Sequence, residues 1–306
     1  MRLEGTEVAV IGLGVSGAAA ARLALAKGGE VYVSDSSADA TASARGAELR
    51  AAGAAVELGG HDLDRVARAG VVVVSPGIPP DAPVLRALRE RGVRWISEPE
   101  LAFRFYSGPL IAVTGTNGKT TTTMLAAHLL EAAGFRAAAG GNVGGGLAPA
   151  ASDLALLDPP PDWYVLEMSS FQLAGVETFR PLIGVVTNLT PDHLDYYGGD
   201  FGAYRADKAR LFANARADSV WVLPTRDEAV EELAGDAPGR RLRFGGTPEE
   251  GADAWEAGGE LFLRAGGREE RLARADELRL FGAHNVKNAL AAALVASAAG
   301  ASPEVI

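Results

Sequence analysis

The stretch LIAVTGTNGKTTTTMLAAHLLEAAG, residues 110–134, decides how the chain is read. Its apolar start reads as a buried strand, Gly115-Thr116-Asn117-Gly118-Lys119-Thr120-Thr121 as a loop, and the spaced apolar residues that follow as a helix ending at Gly134. A strand that enters a glycine loop and leaves as a helix gathers backbone N–H groups and the positive end of the helix dipole at one point, which suits phosphate oxygens. Lys119 adds an ammonium for β- and γ-phosphates, and a threonine hydroxyl next to it is a ligand for Mg²⁺. The pattern departs from G-x-x-x-x-G-K-[ST] at one place, where Val113 stands in the first glycine position. The ligand implied is a nucleoside triphosphate used for hydrolysis or transfer.

On either side of this unit, short apolar runs alternate with Ala- and Leu-rich stretches. Residues 8–11, 31–33, 71–74, 164–166, 182–186 and 220–223 read as further buried strands with helical patterns between several of them, the signature of parallel α/β sheets with crossover helices. A second strand–glycine-loop–helix unit, VAVIGLGVSG at 8–17, opens the chain. Each unit is expected to begin its own sheet. The boundary falls near residue 108, giving a Rossmann-like parallel-sheet domain over 1–108 and a P-loop ATPase-like α/β domain over 109–306. Within the latter, residues 240–272 are expected to form a small antiparallel addition, with LFLRAGG at 261–267 as a hairpin arm entering its turn. Residues 283–299 read as a helix, and Pro303 as the opening of another.

Composition narrows the function classes. The 306 residues are 48% hydrophobic and 22% charged, which excludes extensive disorder. With 29 Lys and Arg against 39 Asp and Glu, the net charge of −10 argues against a general nucleic-acid or acidic-membrane binder. Cysteine is absent, so there is no disulfide, thiolate metal site or cysteine nucleophile. No targeting pattern opens the chain and no apolar run approaches the ~20 residues of a membrane span. A cytoplasmic protein is expected.

The first loop spaces Gly12, Gly14 and Gly17 as G-x-G-x-x-G, and Asp35 ends the next strand, where a nicotinamide enzyme holds a ribose hydroxyl. A nicotinamide cofactor, another nucleotide, or glycines that serve packing alone all fit this much. Ser75-Pro76-Gly77 follows a strand at the ligand-binding edge of such a sheet. Glu167 ends the apolar strand WYVLE and faces the mouth of the triphosphate loop as a direct or water-mediated Mg²⁺ ligand. The cluster from Thr187 through Asp192 and His193 to Asp195 offers an imidazole and carboxylates at another strand end; a helix cap and turn built from Thr-Pro-Asp explains it equally well. Spacing alone makes Lys208 a solvated surface lysine.

Taken together, GLGVSG, SPG, TGTNGKTT, GGNVG (140–144), LEMSSFQL (166–173), NLTPDHLD (188–195), YRADK (204–208) and AHNVKN (283–288) occur in the order seen in the Mur ligases. The chain resembles that family over nearly its whole length, and the EMSSFQL run is most similar to its D-glutamate-adding type. The resemblance implies ATP-dependent amide synthesis in peptidoglycan precursor formation. The carboxylate of UDP-N-acetylmuramoyl-L-alanine takes the γ-phosphoryl group, and the amine of D-glutamate attacks the resulting acyl phosphate. It further implies that Thr120, Thr121 and Glu167 surround one Mg²⁺, and that His193 and a carbamylated Lys208 surround a second. Gly115 through Thr121 would hold the phosphates, Asn285 and Asn288 the adenine. Asn142 and Ser169 would contact substrate near the reacting carboxylate, and Val15, Ser16, Asp35, Ser36 and Gly77 the uridine diphosphate. Ser37 stands where some relatives carry a basic residue. A monomer with no nucleic-acid or membrane partner is implied. A third domain that binds the amino acid is expected to be absent from residues 1–306, so that this stretch alone binds nucleotides without forming the amide. The competing readings are another Mur-type or folylpolyglutamate-type ligase, a nicotinamide oxidoreductase, and a catalytically silent nucleotide-binding module.

Overall fold

The computed structural model describes residues 2–144, 147–280 and 282–306. Its first part runs β1 (Glu7–Ile11), α1 (Val15–Ala26), β2 (Glu30–Asp35), α2 (Ala40–Ala51), β3 (Ala55–Leu58), α3 (Leu63–Arg68), β4 (Val71–Val74), α4 (Pro83–Glu90), β5 (Ile96–Ser97) and α5 (Glu98–Phe103). These strands form one parallel sheet in the order β3-β2-β1-β4-β5. The chain therefore lays β2 and β3 on one side of β1 and then crosses to β4 on the other, which opens a crevice between the ends of β1 and β4. Val8, Ala9, Val10 and Ile11 are fully buried because helices cover both faces of the sheet. In α1, Ala18 to Ala21 are buried, and their small side chains let the helix lie close on the strands.

The second part runs β6 (Leu110–Thr114), α6 (Lys119–Ala132), β7 (Ala137–Gly141), α7 (Ala151–Leu154), β8 (Trp163–Glu167), α8 (Ser170–Ala174), β9 (Ile183–Val186), α9 (Phe201–Ala209), β10 (Val220–Pro224), α10 (Glu228–Ala234), β11 (Arg240–Phe244), β12 (Ala254–Ala257), β13 (Glu260–Ala265), β14 (Arg268–Arg274) and α11 (Ala283–Ala298). Among the described residues these strands form a second sheet, ordered β14-β13-β12-β11-β10-β9-β6-β8-β7. It is parallel from β7 to β12 and antiparallel from β12 to β14. Leu130 of α6 and Leu290, Ala291 and Leu294 of α11 are buried in one apolar cluster with Ile111 and Val113 of β6.

Two local expectations change and one holds. Residues 240–244 pair in parallel with β10, so the antiparallel addition begins only at β12 and extends the main sheet. The hairpin arm at 261–267 is present as β13 turning into β14 through Gly266 and Gly267, whose φ angles of 55° and 81° suit glycine. Pro303 opens a turn closed by Val305 N–H donating to Ser302 O rather than a helix.

Helix α5 joins the sheets. The Glu100 carboxylate accepts N–H groups from Glu177, Thr178 and Phe179, the Thr178 hydroxyl, and Arg104. Its neighbour Glu98 accepts the Ser152 N–H on one oxygen, while its Oε2 is buried without a partner. Burial pushes the Glu98 carboxyl up to about 7. Arg22–Asp153 and the Tyr196 hydroxyl donating to Ile78 O complete the joint. Among the described residues no helix is long and apolar enough to cross a membrane.

Candidate active site

The loop after β6 lies where the second sheet changes direction, with β8 on one side of β6 and β9 on the other. Gly115 has φ 142°, and a Cβ there would stand 1.9 Å from Thr187 Oγ1; Gly118 has φ 83°, and a Cβ there would stand 2.3 Å from Asn288 Oδ1. Both positions need glycine for conformation and for room. The segment after β9 clamps the loop. Asn188 accepts Thr116 N–H on its carbonyl at 3.0 Å and Asn117 N–H on Oδ1 at 2.9 Å, and Thr187 Oγ1 donates to Asn117 O at 2.6 Å. Thr116 Oγ1 in turn donates to Thr190 O and meets the Tyr204 hydroxyl. These bonds use the Thr116 and Asn117 N–H groups, so the donors left for phosphate are those of the first turn of α6, which have no intrahelical partner.

Two lysines meet at this loop. Lys119 Nζ donates to Thr116 O at 2.7 Å, and burial lowers its basicity against the pull of Glu167 and Asp192. Lys208 is only 2% exposed. It reaches from α9 to donate to Gly115 O at 2.8 Å and Thr114 Oγ1 at 3.3 Å, with Nζ 4.8 Å from the centre of the Tyr204 ring. Burial, and then the positive charge of Lys119, push Lys208 down to about 7. The surface lysine expected from spacing is thus a core residue. The available signal was the i, i+4 pair Tyr204 and Lys208, the two buried residues of α9.

Glu167 gathers two other expected residues. Its Oε2 accepts Thr120 Oγ1 at 2.6 Å and its Oε1 accepts Asn142 Nδ2 at 3.2 Å. Gly141, at φ 93°, lets the chain pass so close to Glu167 that a Cβ would stand 2.3 Å from its carbonyl oxygen. His193 sits in the left-handed region at φ 51°, half-exposed, with Nε2 3.6 Å from Asp192 Oδ2 and its ring against Phe171. The described contacts of its ring are with these two residues, and its carbonyl accepts Tyr196 N–H at 3.0 Å; no described contact joins it to Lys208. Thr121 occupies the first turn of α6. Ser169 caps α8, its Oγ accepting Gln172 N–H at 3.2 Å. Among the described residues no three acidic or histidine side chains form a ready cation cage. Mg²⁺ is usually held by one or two carboxylates together with phosphate and water oxygens, and Glu167 with Thr120 is a donor set of that size.

Two cavities complete the picture. One of about 590 Å³ beside the loop is walled by Asn117, Gly118, Asn188, His284, Lys287 and Asn288 among others. Asn288 Nδ2 donates to Asn285 Oδ1 at 3.1 Å, so of the expected adenine pair Asn288 forms the wall and Asn285 stands beside it. His284 and Lys287 lie inside the AHNVKN run, in which only the two asparagines were expected at the site.

The other cavity, about 440 Å³, lies in the crevice of the first sheet and is lined by Gly12, Gly14, Asp35, Ser36, Ser75 and Gly77, together with His61. Gly12 turns at φ 94° against Ser75. Gly17 is a packing glycine, for a Cβ there would stand 1.8 Å from Gly12 O. Val15 is 63% exposed at the start of α1, with Ser16 next to it. The Asp35 carboxylate accepts Leu13 N–H at 2.5 Å and Ser37 N–H at 2.8 Å, so it braces the loop and each oxygen is already engaged. His61 was not singled out by its sequence context.

Comparison with known proteins agrees with this layout. Residues 6–97 match the Mur ligase MurD-like N-terminal domain and residues 113–296 the Mur ligase middle domain. A UDP-N-acetylmuramoylalanine–D-glutamate ligase from Acidobacterium capsulatum is 42% identical over all of this chain, and one from Pelotomaculum thermopropionicum is 40% identical over 96% of it. The chain spans 66% and 64% of the lengths of these relatives. A murein peptide ligase from Psychrobacter arcticus shares the fold at TM-score 0.63 and 21% identity, covering 98% of this chain and 67% of its own.

Proposed function

The chain belongs to the Mur ligase family, and from that premise we propose that it serves ATP-dependent ligation of D-glutamate to UDP-N-acetylmuramoyl-L-alanine. The observation that carries the reading is the presence of two nucleotide-sized sites on separate sheets, only one of which is lined by cations. In the second sheet the first-turn N–H groups of α6 and the Lys119 ammonium bind and orient the triphosphate. Charge builds on phosphoryl oxygens as the γ-phosphoryl group passes to the substrate carboxylate, and donors fixed in a partly buried site stabilise it without reorganising. Glu167 and Thr120, with Thr121 adjacent, would hold a Mg²⁺, which when bound would neutralise the phosphates further. Asn142, held on Glu167, positions the reacting carboxylate in this reading.

We propose in addition that Lys208 is carbamylated and that the carbamate faces a second Mg²⁺ beside His193. A carbamate forms when a neutral amine adds to CO₂ and a proton leaves, and the buried Lys208 amine, pushed down to about 7, is neutral in an appreciable fraction at neutral pH. Intact-protein mass spectrometry and ¹³C NMR in ¹³CO₂-enriched buffer test this; a free amine in both contradicts it.

The first cavity takes the uridine diphosphate portion in this reading, and the domains divide near residue 108. A nicotinamide oxidoreductase is disfavoured because it gives the triphosphate site no task. The test is calorimetric binding of ATP, UDP-N-acetylmuramoyl-L-alanine and NADH, with phosphate release measured for a panel of amino acids. ATP and the UDP-linked precursor are expected to bind, with D-glutamate preferred wherever amide formation is seen. Binding of NADH in preference to the UDP-linked precursor contradicts the reading.

A further inference from the structure

Residues 75–80, SPGIPP, form a thin partition between two cavities. On one face Ser75, Gly77, Ile78 and Pro79 line the cavity of the first sheet. On the other, Ser75, Pro76, Ile78 and Pro80 line a further cavity of about 270 Å³, whose opposite wall includes Phe171 and Tyr196 of the second part of the chain. A segment with open space on both faces gains little from packing. Its backbone has few donors either, since Pro76, Pro79 and Pro80 carry no N–H. Ser75 N–H donates to Ile11 O at 2.9 Å, and local turns are closed by Ile78 N–H on Ser75 O at 3.1 Å and Ala82 N–H on Pro79 O at 2.9 Å. Among the described residues, two side chains from elsewhere reach the segment. Arg89 Nη1 donates to Pro80 O at 2.6 Å where the segment ends, and Tyr196 Oη donates to Ile78 O at 2.9 Å in its middle.

Tyr196 is held by the second part of the chain. Its N–H donates to His193 O at 3.0 Å, and its ring lies on Phe171 with centroids 3.8 Å apart and against Tyr197 at 5.3 Å. Tyr197 is itself fixed by its hydroxyl, which donates to Asp207 Oδ2 at 3.0 Å. Burial pushes the Tyr196 hydroxyl up to about 12, so it stays a donor at neutral pH. Ile78 carries the restraint into the first cavity, for its Cδ1 lies only 3.1 Å from where a Cβ on Gly12 would stand. We infer that Tyr196 is a positioning residue for the nucleotide bound in the first cavity: by holding Ile78 O it fixes the wall that residues 75–80 present to that nucleotide. This rests on the reading that the first cavity holds a UDP-linked substrate. Without the bond, the partition is free to move into the cavity behind it. Affinity then falls by the fraction of time that the wall is in place.

The experiment is calorimetry of UDP and of MgATP with the wild-type chain and with Tyr196→Phe, which keeps the ring on Phe171 and removes only the hydroxyl. UDP affinity is expected to fall by roughly 3- to 10-fold, the net effect of one hydrogen bond, with MgATP affinity within about twofold of the wild type. Amide hydrogen exchange followed by NMR adds a local readout that a loss of overall stability does not imitate. In Tyr196→Phe the Ile78 N–H should exchange faster, while the core amides of Val10 and Ile111 keep their wild-type rates. If UDP affinity stays within about twofold and Ile78 exchange is unchanged, Tyr196 does not position the wall, and the inference is overturned while the reading of the cavity stands. Parallel loss of UDP and MgATP affinity makes Tyr196 a residue of the general fold and overturns the inference as well. If the wild type binds MgATP and not UDP, the reading of the cavity falls and the inference with it.

Discussion

In the first strand–loop–helix unit, Gly12 turns the chain at φ 94° and a carboxylate, Asp35, takes the Leu13 N–H; in the second, Gly118 turns at φ 83° and a lysine amine, Lys119, folds onto the Thr116 carbonyl. Both units use a left-handed glycine to turn from strand to helix, but α1 is entered through an extended Gly14 and α6 through the left-handed Gly118, and the side chains that brace the two loops differ in charge. Among the described residues no Lys or Arg lines the cavity beside the first loop, where the one guanidinium that reaches the loop, Arg45, is held on Leu13 O, whereas Lys119 and Lys208 converge on the second. A site that must stabilise charge as it moves between phosphoryl oxygens needs fixed cations, while a site that only holds a nucleotide can rely on shape, a helix N-terminus and neutral acceptors. The loop glycines alone do not tell the two tasks apart; the side chains that brace each loop do.

The largest test of that contrast is Lys119→Ala. MgATP affinity of this chain is expected to fall, and in an enzyme that also carries the amino-acid-binding domain turnover in ATP-dependent ligation is expected to fall by roughly 10²–10³-fold, comparable to removing one oriented donor from an oxyanion site. Affinity for the UDP-linked precursor should stay within about twofold, since the first cavity shares no cation with the second. Equal losses at both sites would dissolve the distinction.

The joint between the two regions gives the next effect. With Glu98 raised from 4.5 to about 7 in the folded chain, its carboxyl favours folding fully at pH values below its unfolded pKa, and that contribution is lost as pH rises toward 7. Glu98→Gln keeps an acceptor for Ser152 N–H and cannot ionise. It should be more stable than the wild type at pH 8 by up to roughly 3 kcal/mol, the gap closing by pH 4. Urea denaturation at both pH values measures this, and a gap independent of pH speaks against a buried, titrating Glu98.

The smallest effect separates the glycines of the first loop. Gly17→Ala drives a Cβ to 1.8 Å from Gly12 O and should cost about 1–3 kcal/mol as the loop and α1 separate. At Gly14 the nearest atom to a new Cβ is Ser75 Oγ at 3.6 Å and φ is −70°, so Gly14→Ala should change stability by less than about 0.5 kcal/mol. Thermal unfolding of the two variants ranks them, and similar losses would mean that Gly17 is not a packing glycine.

What was legible in the sequence follows from what burial demands. Strands sheltered on both faces, such as VAVI at 8–11 and VVVV at 71–74, announce themselves as unbroken apolar runs. By contrast β7 is built from Ala and Gly, β11 reads RRLRF and β14 REERLAR, and no apolar run marks them. The triphosphate loop was readable because its glycines, lysine and threonines are adjacent in the chain. The residues that support it are not. Lys208 lies 89 positions beyond Lys119, and its burial depends on how α9 packs beneath the loop. Likewise the role of Asp35 as a brace exists only once the end of β2 lies beside the loop that follows β1.

The central claim, that one chain carries two independent nucleotide sites with different chemistry, is tested most directly by successive calorimetric titration of MgATP and UDP-N-acetylmuramoyl-L-alanine into the same sample, in either order. The account predicts one site for each, saturation of one leaving room for the other, and loss of only the MgATP isotherm in Lys119→Ala. Mutual displacement of the two nucleotides, or loss of both isotherms in a folded Lys119→Ala, would contradict it.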